Sequence, residues 1–411
     1  MYDPYQYPKL RWPLDVRVEK AEGQEVIVLN CPIGISSQPM ILPAALGPVL
    51  SCFEGKLSVT EIVDKFREYQ LSPDLVQQMI TLLDEHLYLA TPRFDVAQKT
   101  VIEDFRQSPV RAPALAGRGY PAQPDGLRAL VDGFLASGQR ALIQPQGKLV
   151  GLVSPHIDYR RGGACYGLTY HFLKAHTHDL YILIGTAHQY SRRLFHLTAK
   201  DFATPLGVLP CDTRFIQDLA SRYGLERSFA DELLHRREHS LELQTPFLKR
   251  VSEKASIVPI LVGSFHKMLS AQRLPSEFDE YESFVAGLAE VARQRIEQGA
   301  RLCVIAGVDM AHVGRQFGDK EPLSAERMQE VERRDRIYLQ SITQQDKRAM
   351  FAHIAEDEDQ RRICGFPTMY TVIDLLDRLP IHYRSEIFEY KQAVDYSAEC
   401  AVTFAGVGLY Q

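Results

Sequence analysis

Short apolar runs alternate along most of this chain with longer stretches in which apolar residues recur every three or four positions. The runs at 149–153, 180–184, 257–262, 302–306 and 401–409 are rich in β-prone residues. Uninterrupted runs of that length predict strands buried on both faces. The stretches at 125–136, 163–174, 212–222, 282–297, 324–343 and 367–377 have helical periodicity. Strand–helix alternation of this kind predicts an α/β domain over residues 111–411, with three α/β/α layers and a mainly parallel sheet.

The first hundred residues follow a different rhythm. Val16-Arg17-Val18 and Val26-Ile27-Val28-Leu29 flank the turn-prone Ala21-Glu22-Gly23 and predict a hairpin. Ser58-Val59-Thr60-Glu61 has the form of a capping box, opening a helix with Val59, Ile62, Val63 and Phe66 on its apolar face. Ser72-Pro73 starts a second helix, whose buried side is Leu75, Val76, Met79, Ile80, Leu83 and Leu87. A hairpin plus helices over residues 15–95 predicts a small α+β, winged-helix-like domain. Residues 1–14, rich in Tyr and Pro, read as an extended tail, and 96–110 as a linker.

Charge then narrows the partners. At 411 residues, 45% hydrophobic and 24% charged, the chain has the make-up of a globular protein of two domains. Its net charge of −5 gives no reason to expect nucleic acid. The 15–95 segment, with six Lys/Arg against twelve Asp/Glu, repels phosphates outright. That leaves a peptide- or protein-docking unit, or a purely structural one. No apolar run approaches the ~18–20 residues of a membrane-spanning helix, and Met1 to Leu14 lacks the basic-then-apolar order of a secretory signal. Seven scattered cysteines without a C-x-x-C exclude a disulfide framework and a zinc ribbon, so a reducing cytoplasm is the expected location. No Walker A loop, Rossmann fingerprint or G-x-S-x-G elbow is present.

Three separated segments set a histidine or cysteine beside small residues: Ser154-Pro155-His156-Ile157-Asp158-Tyr159, Ile184-Gly185-Thr186-Ala187-His188 and Ile363-Cys364-Gly365. The two histidines each follow a predicted strand, about one βαβ unit apart, which puts them on one edge of the sheet, with adjacent strands as one arrangement. Cys364 follows Arg361-Arg362 and precedes a predicted helix, surroundings that favour a thiolate. Asp309-Met310-Ala311-His312 supplies a further strand-end pair, in which the carboxylate can orient the imidazole. As chemistry, these residues are metal ligands with acid–base groups around them. As plain structure, they are satisfied histidines, a small hydrophobic cysteine and a loop pair. His235-Arg236-Arg237-Glu238-His239 also matches H-x-x-E-H, the zinc motif of the inverted zincins. His171, His176 and His178 gather at a predicted helix C-terminus, where the dipole favours them.

In order along the chain, several of these segments resemble the Memo family. The opening Arg111–Pro121, Pro155-His156, Gly185-Thr186-Ala187-His188, Thr204-Pro205-Leu206-Gly207 and Glu238-His239-Ser240-Leu241-Glu242 are followed by Pro246-Phe247, Val258–Gly263, Asp309–His312 and Cys364-Gly365. The resemblance covers residues 111–411 and implies a fold similar to the class III (LigB-type) extradiol dioxygenases. It implies a metal held by His156, His188 and Cys364, with Fe(II) first and Cu or Zn next. His312 and His239, paired with Asp309 and Glu238, would then move protons for an oxidoreductase acting on an aromatic or phenolic small molecule. A radical-SAM protein and an AMMECR1-like protein are the partners it implies. Phe53–Val59 and the helical pair after it are similar to PqqD-like peptide-recognition domains.

The chain departs from the family pattern at four places. Asp158 stands where a glycine is usual and becomes an added candidate for a hard ligand or base. Ala187, Val308 and Ala311 replace small hydroxyl residues beside the later histidines. Two other functions stand beside the oxidoreductase: a non-catalytic adaptor binding a peptide or metal in the same cleft, and a zinc peptidase using His235, Glu238 and His239.

Overall fold

Contacts divide the chain into two units, Met1–Ser108 and Pro109–Gln411, in a computed structural model that describes residues 3–21, 23–36, 38–139, 145–254 and 256–411. In the small unit, β1 (Asp15–Ala21), β2 (Gln24–Asn30) and β3 (Met40–Pro43) pair antiparallel in that order. Glu22, in the expected hairpin turn, lies outside the described residues. The capping box forms: the Ser58 hydroxyl accepts from Glu61 N, and the Glu61 carboxylate accepts from Ser58 N at 2.7 Å. Ser72 caps the helix Pro73–Glu85, whose Val76, Met79, Ile80 and Leu83 pack with Ile27, Leu29, Met40 and Leu42. Leu75, expected on that buried side, is exposed.

The opening residues are tied into this unit rather than trailing from it. Bridges join Lys9 to Glu54 and Leu10 to Leu89, and the buried Arg11 donates to the carbonyls of Leu87 and Pro13. Most of the segment read as a linker is helical, Pro92–Gln107, and belongs to the small unit.

The strands of the large unit are, in chain order, β4 (Val110–Arg111), β5 (Leu149–Ser154), β6 (Leu180–Thr186), β7 (Phe195–Leu197), β8 (Asp201–Thr204), β9 (Gly207–Leu209), β10 (Ser256–Val262), β11 (Leu302–Gly307), β12 (His312–Val313), β13 (Arg384–Asp395) and β14 (Cys400–Tyr410). The main sheet runs β12-β14-β5-β11-β6-β10-β7, with β13 on the far side of β14. Its centre, β5-β11-β6-β10, is parallel throughout. Antiparallel pairs with β14 and β7 flank it. Every residue of β5, β6, β11 and β14 is buried, because helices cover both faces.

Alternate residues serve the two layers. Leu180, Ile182 and Ile184 of β6 join the core formed with helices Thr213–Tyr223, Asp279–Glu297 and Phe366–Asp377. Tyr181 and Leu183 point the other way, to helices Pro124–Gly138, Tyr159–Lys174 and Thr245–Val251. The result is the three-layer α/β/α domain expected. The sequence pattern missed β13 because, Phe388 apart, its residues are only exposed or partly buried and form no apolar run. Among the described residues no helix is long and apolar enough to cross a membrane.

Candidate metal centre

The parallel strands end on one side of the sheet, and their following residues meet there. His156 lies two residues past β5 and His188 two past β6. These strands are not neighbours: β11 runs between them. Two strand spacings amount to ~9–10 Å, yet the imidazole centroids are 4.9 Å apart. The side chains lean together over Gly307, the last residue of β11.

A segment remote in sequence completes the cluster. Residues 238–244 are stapled across the strand ends: Ser240 Oγ donates to the Thr186 carbonyl at 2.8 Å, and Gln244 Nε2 to the Pro155 carbonyl at 2.7 Å. Gly307 is required at the crossing point, since a Cβ there would run into the Ser240 carbonyl oxygen. The staple delivers His239, whose ring stacks on His188 at 4.4 Å and meets His156 edge-on at 5.2 Å. One nitrogen from each of His156, His188 and His239 lies within 4.8 Å of those of the other two. No other group of three metal-capable side chains converges in this way among the described residues.

The protonation pattern of the three rings follows from their partners. His156 Nδ1 lies 2.9 Å from the Gly307 carbonyl. His188 Nδ1 and His239 Nδ1 lie 2.9 Å and 3.2 Å from the same oxygen, Glu238 Oε1. A carbonyl or carboxylate oxygen can only accept, so each Nδ1 carries a proton and Nε2 is the nitrogen left to ligate. Glu238 is buried, which by itself raises its pKa. The facing His188 and His239 outweigh this and hold its carboxyl well below the ordinary value. Burial drives the His156 pKa well down, with His188 and His239 pushing the same way, so that ring is neutral. Burial opposes a charge on His239, but the Glu238 hydrogen bond and charge prevail and raise its pKa.

A buried ion pair holds this carboxylate-bearing segment. Arg111 Nη1 lies 2.5 Å from Glu242 Oε2, with both side chains at most 1% exposed. Arg111 also donates to the carbonyls of His235 (2.9 Å) and Glu238 (3.0 Å). Glu242 accepts from Ala114 N, Leu115 N and the Tyr120 hydroxyl. The opening of the large unit is thereby clamped to the segment carrying Glu238 and His239.

The remaining candidates fall into place around this core. Cys364 Sγ is 3.3 Å from His156 Nε2, so the third segment does reach the histidines. Its surroundings do not favour a thiolate, contrary to the sequence argument. Arg361 is spent on Asp335 and Arg362 on Asp319, while burial and then Asp309 push the thiol pKa well up. Asp309 does not orient His312 as expected. Its Oδ1 accepts from the backbone N–H groups of His156 (2.8 Å) and Ile157 (3.0 Å), fixing the histidine loop, and burial raises its pKa to about 7. His312 Nδ1 instead faces the carbonyls of Met310 and Arg362, both at 3.1 Å. Burial, then the neighbouring His188, lowers its pKa to about 4, so its Nε2 is a free base.

Two sequence expectations are overturned. Asp158 caps the helix Tyr159–Lys174 and pairs with Arg161 at 2.5 Å, and it is not among the side chains that converge at the cluster. The H-x-x-E-H peptidase geometry is not formed. His235 turns away to the His196 carbonyl at 3.0 Å, and a 3-10 turn followed by a separate short helix replaces the continuous helix that motif needs. His239 was legible as a pocket residue, but nothing local marked it as a partner in the triad, because its staple to the strand ends is tertiary.

A cavity of about 520 Å³ opens beside the cluster, with His188 and Cys364 in its wall. Ala187, one of the positions where a hydroxyl was usual, lines the same wall. Val308 and Ala311 are buried.

Comparison with known proteins agrees with the motif order. Residues 111–407 match the family described as Memo-like protein. A MEMO1 family protein of Aquifex aeolicus is 26% identical over 386 residues, covering 93% of this chain and 96% of the relative. That span is longer than the large unit, so the likeness reaches into the small one. A MEMO1 family protein of Thermus thermophilus is 28% identical over 73% of this chain and 83% of the relative. One from Archaeoglobus fulgidus is 26% identical over 62% and 83%.

Proposed function

This chain belongs to the Memo-like family, and from that premise we propose that the histidine cluster binds a single redox-active metal ion in an oxidoreductase acting on aromatic or phenolic small molecules. The observation that carries the reading is the convergence of His156, His188 and His239 with every Nδ1 proton committed to an oxygen. That donor set fits a transition metal. It offers three imidazole nitrogens within 4.8 Å of one another, and the Glu238 carboxylate behind two of the rings is the arrangement that orients metal-ligating histidines. Imidazoles suit iron, copper and zinc. Fe(II) comes first in this proposal, for a redox reaction on a phenol, then Cu, with Zn third.

When bound, such a metal supplies Lewis acidity toward a phenolic hydroxyl and, if iron or copper, electron exchange with dioxygen. The chain's own residues do the rest. Glu238 keeps His188 and His239 in the ligating tautomer. Asp309 holds the His156 loop by its backbone. His312, neutral near pH 7, offers Nε2 to receive a phenolic proton. Cys364, 3.3 Å from His156 Nε2, is the alternative third ligand. Metal binding would have to displace its proton.

Elemental analysis of anaerobically purified protein tests the assignment, comparing wild type with His156→Ala, His239→Ala and Cys364→Ala. Stoichiometric metal in the wild type, lost in the first two variants and kept in the third, is the expected result. Loss in Cys364→Ala with retention in His239→Ala would transfer the third ligand to sulfur. Full metal in His156→Ala would end the proposal. Oxygen uptake with catechols then separates catalyst from adaptor, since an adaptor binds without turnover. The radical-SAM and AMMECR1-like partners rest on the family resemblance and are open to co-purification.

A further inference from the structure

We infer that the cavity beside the cluster selects a cationic ligand, so that the substrate is an aromatic or phenolic compound carrying an amine rather than an acid. The aromatic part of this statement rests on the proposed function; the charge preference comes from the cavity alone. At about 520 Å³ the cavity has the size of a small-molecule site. Phe265, Leu269, Ile363 and Phe366 give it apolar walls that suit a ring. Its lining includes two carboxylates, Glu358 and Asp359, and no lysine or arginine.

The arginines of this region form their ion pairs with other carboxylates. Arg361 pairs with Asp335 at 2.6 Å, Arg362 with Asp319 at 2.8 Å and Arg334 with Glu356 at 2.9 Å. Among the described residues neither Glu358 nor Asp359 enters an ion pair. Asp359 Oδ1 accepts from Ile363 N at 2.8 Å, which ties the carboxylate to the loop leading into Cys364.

The backbone of that loop is unusual. Glu358, Asp359 and Arg362 have φ of 51°, 56° and 49°, left-handed values uncommon in non-glycine residues. The fold thus sets two carboxylates that form no ion pair, Glu358 exposed and Asp359 half-buried, at an apolar cavity whose wall includes the candidate ligands His188 and Cys364. An ammonium group answers that charge, whereas a carboxylate is repelled.

The test uses the full chain, metal-free and metal-loaded, titrated calorimetrically with tyramine, 4-ethylphenol and 4-hydroxyphenylacetate, which share a ring and differ in tail charge. Tyramine should bind at least ~10-fold more tightly than 4-ethylphenol, with the acid weakest, in both forms of the protein. Glu358→Gln should shrink the preference, and Glu358→Gln with Asp359→Asn should abolish it. Asn keeps the oxygen that accepts from Ile363 N. Equal affinity for the three probes, preference for the acid, no binding of any, or a preference that survives the double variant would each overturn the inference. Because the metal-free arm depends only on the cavity, a charge preference there supports the inference even if metal analysis defeats the proposed centre.

Discussion

One carboxylate, Glu238, fixes the Nδ1 hydrogen of two imidazoles, because both point at the same oxygen. Glu238→Gln keeps the shape but removes the charge that holds those protons, and the metal affinity should fall ~10–100-fold. Competition with a chromogenic chelator measures this, and the metal-free protein should stay folded. Glu242 has the opposite character: it touches no candidate ligand but neutralises the buried Arg111. Glu242→Gln leaves a guanidinium charge sealed from water, and should cost ~3–5 kcal/mol in urea unfolding. Replacing Arg111 and Glu242 together by apolar residues should cost less than the single change, since no unpaired charge then remains.

Helices Pro124–Gly138 and Tyr159–Lys174 touch backbone to backbone, and glycines make the approach possible. A Cβ at Gly167 would strike the Phe134 carbonyl oxygen, and one at Gly163 the Phe134 ring. Gly167→Ala should therefore destabilise by ~1–3 kcal/mol through overpacking, despite alanine's better helix propensity. Gly133, on the first of these helices, has nothing within 4 Å of its Cβ position. Gly133→Ala should stabilise by up to ~1 kcal/mol. Opposite shifts of the urea midpoints at two helical glycines would establish packing, rather than propensity, as the constraint at Gly167.

The whole chain has separate cores: Ile27, Leu29, Ile62 and Ile80 belong to the small unit's, and the two faces of the main sheet to the large unit's. Calorimetry should accordingly show two unfolding transitions rather than one. Metal should raise only the transition of the large unit, by ~2.7 kcal/mol at a free concentration a hundred times Kd. A single transition, or a metal shift in both, would show that the units unfold as one body.

Strands β5, β6, β10, β11 and β14 were legible from the chain because a strand buried on both faces is apolar at most positions. The caps at Ser58 and Ser72 were legible because each is a bond between near neighbours in sequence. His156 and His188 were legible as strand-end residues for the same local reason. Tertiary structure alone decided that β11 separates their strands and that residues 238–244 lie across the strand ends to bring in His239. It also decided the state of Cys364, since burial and the outside partners of Arg361 and Arg362 reverse the local expectation. Periodicity and capping act over a few residues, whereas strand order, burial and charge pairing join segments tens of positions to more than a hundred apart, which no local pattern encodes.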